Sequence, residues 1–63
     1  MCESNAYIRK KEKEELFLES VALIRSEGGR IILRSLFGEE KILNGHIEEI
    51  SLVKHKIILA EDS

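Results

Sequence analysis

The sequence has no proline, no tryptophan and a single cysteine, with one tyrosine and two phenylalanines among its 63 residues. A lone cysteine excludes an intrachain disulfide. A chain this short buries only about 60% of the surface that its unfolded form exposes, so its small core needs another support, either self-association or a metal. Charge of one sign is also lacking. Ten Lys and Arg against twelve Asp and Glu give a formal net charge of -2, which argues against a protein dedicated to a polyanion such as nucleic acid. No apolar run approaches the length that crosses a bilayer, and no basic segment followed by an apolar signal core opens the chain. The expected compartment is the cytoplasm, with which a lone thiol is compatible. Absent too are a nucleophile elbow, an HExxH pair, a Walker loop and a Gly-x-Gly-x-x-Gly fingerprint. Ser26-Glu27-Gly28-Gly29 has too few glycines and no following lysine to cradle phosphate. No enzyme activity is expected.

What is present, 43% apolar and 35% charged residues, is the composition of one soluble globular domain over residues 1–63. Residues 2–10 alternate as a strand, with Cys2, Ser4, Ala6, Ile8 and Lys10 on the core face. Leu16 to Ile24 is densely apolar and reads as a strand bent or bulged at Glu19-Ser20, with a helix as the competing period. The paired glycines Gly28-Gly29 supply the positive φ of a tight hairpin turn. A strand resumes at Arg30, with Ile31, Leu33, Ser35 and Phe37 opposing Arg30, Ile32, Arg34 and Leu36. Both faces are partly apolar, which hints at a partner chain on the second. Gly38-Glu39-Glu40 reads as a turn, Asn44-Gly45 as a kink or tight turn, and Glu48-Glu49 as a bulge or short helical turn. Val53-Lys54-His55-Lys56 reads as a hairpin tip before a last strand at Ile57-Ile58-Leu59-Ala60. The expected fold class is all-β, a small antiparallel curled sheet or barrel of five to six short strands.

Few residues carry chemistry. Cys2 stands where removal of Met1 leaves a thiol and a free amine on one residue, a chelating pair suited to Ni(II), Cu or Zn. The plainer reading makes Cys2 a small apolar residue opening a strand. His46, after Gly45, and His55, at a hairpin tip, read as surface histidines and stand as alternative metal ligands. Glu39-Glu40 and Glu48-Glu49 are adjacent, so a regular strand sends their carboxylates to opposite faces and makes them poor chelators as pairs. The charged run Arg9-Lys10-Lys11-Glu12-Lys13-Glu14-Glu15 mixes signs and has no interleaved aromatic, as a solvated connection does and a nucleic-acid patch does not.

The order of Met1-Cys2-Glu3, a glycine hairpin into a strand ending Leu36-Phe37-Gly38-Glu39, then Gly45, Ile47, Ile50 and Leu52, and finally His55-Lys56-Ile57, resembles the CooT family of small nickel-binding proteins. That family is similar to the HypC-type hydrogenase maturation chaperones, which also begin Met-Cys and form small β-barrels. The resemblance implies a homodimeric accessory protein that binds Ni(II) for assembly of the carbon monoxide dehydrogenase active site, with a nickel enzyme or its maturation proteins as partners. Cys2 is the residue carried over. Residues 9–15 form a longer charged run than the family pattern, and Ser51 stands where an Asp is expected. Square-planar Ni(II) takes four nitrogen or sulfur donors. One sulfur and one nitrogen from each Cys2 therefore predict one Ni(II) per dimer. The rival readings are a small-barrel RNA-binding module and a metal-free scaffold that docks a partner.

Overall fold

The structure is a computed structural model and describes residues 4–62. Five strands follow one another, β1 (Ser4–Arg9), β2 (Glu14–Glu27), β3 (Arg30–Ser35), β4 (Glu40–Ser51) and β5 (Lys56–Glu61). They form a closed barrel in sequence order, and the all-β expectation is borne out. Four neighbouring pairs are antiparallel, while β1 and β5 close the ring in parallel, from Asn5 opposite Lys56 to Ile8 opposite Leu59. No helix among the described residues is long and apolar enough to cross a membrane.

Two of the strands are long because each serves two ladders. β2 pairs with β1 up to Val21 and with β3 from Val21 onward. The change falls at the predicted Glu19-Ser20 irregularity, where the strand does not break. Ser20 takes φ 54°, its N–H donates to Asn5 Oδ1 at 3.0 Å, and its carbonyl accepts the Leu36 N–H at 2.8 Å. A small polar residue tolerates that left-handed geometry, and both redirected backbone groups find partners. β4 pairs with β3 up to Asn44 and with β5 from Gly45 onward. Asn44-Gly45 is therefore the kink and not the tight turn. A Cβ at Gly45 would overlap the Ala60 carbonyl oxygen, so the close approach of β4 to β5 requires glycine.

Turns sit close to their predicted places, with shifts of a residue or two. Gly28 and Gly29, at φ 53° and 80°, make the two-residue connection with paired positive φ that suits the twist of β2 and β3. β3 ends at Ser35, so Phe37 does not join Ile31 and Leu33 inside, and the turn falls at residues 36–38. The buried Ser35 hydroxyl stops the strand by accepting the N–H groups of Phe37 and Glu39, each at 3.1 Å. The β4–β5 turn occupies residues 52–55, and Lys56 already belongs to β5.

The core is a single cluster of Ala6, Leu18, Ile31, Leu33, Leu43, Ile57 and Leu59, flanked by Ile8, Phe17, Val21, Ile24 and Ile47. Every strand contributes to it, as alternation predicts. Burying a side chain such as Leu33 or Leu59 is worth about 1.5–3 kcal/mol. Ile58, between Ile57 and Leu59, points outward yet is only 3% exposed.

Candidate functional site

The start of β1 is fixed from both sides. Ser4 lies opposite Val21 and Asn5 opposite Lys56. The Asn5 N–H donates to the His55 carbonyl at 3.0 Å, while its side chain holds Ser20. Cys2, the predicted metal ligand, lies outside the described residues. The two histidines stand at opposite ends of the barrel. His55, at φ 54° in the β4–β5 turn, is beside the start of β1. His46 is exposed near the far end, its Nδ1 3.9 Å from Asp62 Oδ1. Among the described residues, no three His, Cys, Asp or Glu side chains gather into a group able to hold a metal ion.

Glu48-Glu49 forms the expected bulge, but the two carboxylates do not point apart. The register slips between Ile47 and Glu49, and this bulge lets both carboxylates reach one guanidinium, with Arg9 at 2.9 Å from Glu48 and 3.8 Å from Glu49. Arg9 also meets Glu14 at 3.2 Å, and Lys56 meets Glu14 at 2.7 Å. Hydrogen bonds first from Lys56 and then from Arg9 hold the Glu14 carboxyl below the usual carboxylate range, and the bond to Glu14 raises the Lys56 ammonium. The Lys56 Nζ lies 5.0 Å from the centre of the Tyr7 ring. Ile58 is opposite Tyr7 on one side and Glu49 on the other. This charged and aromatic layer roofs Ile58, so β5 carries three consecutive buried apolar residues. Lys10 and Lys13 pair with Glu15 at 3.7 and 3.6 Å. Arg9, Lys10 and Lys13 of the 9–15 run thus pair with carboxylates, as a solvated connection predicts.

The opposite character appears where β1 begins. Phe37 at 83%, Leu52 at 80% and Val53 at 90% are the most exposed large apolar side chains of the described chain, and all stand in turns at this end of the barrel. Hydrogen bonds link those turns through the Leu36 N–H to Ser20, Ser20 to Asn5, and Asn5 to His55. Sequence reasoning set Phe37 on the same strand face as Ile31 and Leu33, and named Leu52 and Val53 without expecting them to be exposed beside it. The available signal was Ser51, whose hydroxyl accepts the Lys54 N–H at 3.2 Å and starts a turn built without glycine.

A small closed β-barrel with exposed apolar turns beside the start of β1 is the class these features define. The family model described as CO dehydrogenase accessory protein CooT matches residues 1–60. The crystal structure of a candidate CooT from Carboxydothermus hydrogenoformans superimposes with a TM-score of 0.90 at 35% identity, covering 98% of this chain and 100% of that one. An uncharacterized protein of Methanocaldococcus jannaschii is 34% identical over 59 residues, 94% of this chain and 96% of its own. The chain belongs to the CooT family, a family of accessory proteins for CO dehydrogenase.

Proposed function

We propose that this protein is a cytoplasmic nickel-binding accessory protein that acts as a homodimer, without catalytic activity of its own, in assembly of the CO dehydrogenase nickel site. The observation that carries the reading is the family match over residues 1–60, which includes Cys2. Cys2 is the one thiol of the chain, and a thiolate beside an amine or backbone nitrogen suits Ni(II). Two protomers complete four donors, one metal per dimer across the two-fold axis.

The outer face of β2, β3 and β4 suits the second copy. Leu23, Ile32 and Ile42 share it, and Leu23 and Ile42 are exposed. Flanking pairs Arg25–Glu27 at 3.4 Å and Arg34–Glu40 at 3.2 Å balance both signs of charge. A balanced patch can meet its own copy about a two-fold axis without like charges facing. β1 enters the sheet with Ser4 opposite Val21, two residues from Leu23, which supports a two-fold axis on this side of the barrel.

Nickel titration of the wild type and Cys2→Ser, followed by the sulfur-to-nickel charge-transfer absorption and by sedimentation, tests the reading. The wild type saturates at one Ni(II) per dimer and releases protons, and its affinity falls as pH drops well below the free-thiol pKa of about 8.5. Saturation at one metal per monomer, or a Cys2→Ser protein that binds as tightly, contradicts it.

A further inference from the structure

The strands follow one another around a ring, yet β2 is paired on one side only for part of its length. It meets β1 from Glu14 to Val21 and β3 only from Val21 onward, so on the β3 side the backbone from Glu14 to Glu19 has no strand partner among the described residues. β4 leaves a matching stretch. Glu40 to Leu43 pair with β3, and β5 joins only from Gly45. A cleft lies beside the open part of β2, with Phe37, Glu39 and Lys41 on its other wall. Lys41, fixed in β4 opposite Leu33, reaches across it. Its Nζ donates to the Phe17 carbonyl at 2.8 Å and lies 5.1 Å from the centre of the Phe17 ring. The carboxylate it pairs with, Glu39, is farther away at 4.0 Å, so the ammonium is engaged first by the backbone.

An unpaired strand edge is a template for another chain. This one has Leu16-Phe17-Leu18 at its centre, with Glu14, Glu15 and Glu19 on its flanks. Carboxylates only accept hydrogen bonds, so those flanks cannot cap a carbonyl. A donor is needed, and Lys41 supplies it. We propose that Lys41 guards this edge: its ammonium takes the place on the Phe17 carbonyl that the N–H of an added strand would take, and so keeps the chain from growing onto further copies of itself. The contact it blocks joins the β2 edge of one copy to the open β4 stretch of the next. Two β2 edges paired antiparallel set Glu14 and Glu15 against Glu19, whereas Glu40-Lys41-Ile42-Leu43 brings two apolar residues and one charge of each sign. Such a head-to-tail contact does not close on itself, and it extends with concentration. Lys41 stands on both of its surfaces. A role in stability alone explains the bond less well, because the Lys41 side chain is 40% exposed and water competes for the same groups.

Sedimentation of the full chain without metal, over a wide range of concentration, tests the guard in the wild type, Lys41→Met, Lys41→Arg and the double variant Lys41→Met with Glu15→Pro. Methionine keeps the length of the side chain and loses its donor and charge, while arginine keeps both. Lys41→Met is expected to match the wild-type mass when dilute and to reach at least twice that mass when concentrated. The wild type and Lys41→Arg do not pass the dimer at any concentration. Backbone groups alternate between the two sides of a strand, so Glu15 faces the open edge as Phe17 does, and proline there removes an N–H from that edge while sparing the β1 ladder. The double variant therefore returns to the wild-type mass, which a mere loss of folding would not do. A Lys41→Met protein that keeps the wild-type mass at every concentration overturns the proposal. So does one already unfolded by circular dichroism when dilute, and so does growth that Glu15→Pro leaves unchanged. None of these readings involves nickel, so the accessory role stands or falls separately.

Discussion

Two surfaces of the same barrel treat apolar residues in opposite ways. Over the β4–β5–β1–β2 side, Ile58 is roofed by Tyr7, Lys56 and the carboxylates gathered around Arg9. At the end where β1 begins, Phe37, Leu52 and Val53 have no such cover. The chain has the means to cover an outward apolar residue, and it uses them at the parallel seam. The difference teaches that the charge-rich composition has a local task. Long side chains complete a core too small to close with apolar residues alone.

The contrast is sharpened most by the interior. Leu33→Ala is expected to cost about 2–5 kcal/mol, enough to unfold much of so small a domain, as a shift in urea midpoint would show. Gly45→Ala should cost about 1–3 kcal/mol, because β4 must move off the Ala60 carbonyl; an unchanged melting temperature would mean that the two strands are not held so closely. Ile58→Ala should destabilise by about 2 kcal/mol and Ile42→Ala by clearly less, although both point outward. Equal losses would break the idea of a roof.

Charge effects are smaller and have a defined sign. Glu14 has a folded pKa below its unfolded one, so its contribution is present above the unfolded carboxylate pKa and is lost as pH falls through the lowered folded value. Acid unfolding of the wild type should begin in that window, and Glu14→Gln should flatten the curve there. A curve of the same shape in both proteins would show that the roof does not depend on that carboxylate. The smallest effect belongs to the rim: Val53→Ser should change stability by no more than about 0.5 kcal/mol, readable as an unmoved melting temperature.

Local features were legible where one residue dictates the backbone. Gly28-Gly29 announced its turn through positive φ, Glu19-Ser20 its bulge, and Gly45 its kink. The parallel pairing of β1 with β5 was not legible, because register between strands so far apart leaves no local pattern. Phe37 was misread because alternation assumes that the strand continues, and the Ser35 hydroxyl ends it. The bulge at Glu48-Glu49 was legible, yet its consequence was not drawn, and the two carboxylates were still separated as in a regular strand. Of the candidate site, Cys2 stood out in the sequence through its position in the chain, and it lies outside the described residues. The turns that approach the start of β1 were not legible as neighbours, since they come from residues 36–38 and 52–55.

The parallel seam also governs how the chain acquires its shape. Asn5 finds its partner Lys56 almost a full sequence length away, so the closing ladder is a contact of high order and a slow one to form. During synthesis β1 waits with one edge open while hairpins β2–β3 and β3–β4 assemble, and an open edge invites pairing with another chain. Only when β5 is free of the ribosome does the ring close. The first strand, next to the candidate ligand, is therefore completed by the last one made, and a truncated chain lacks the frame that orders Asn5.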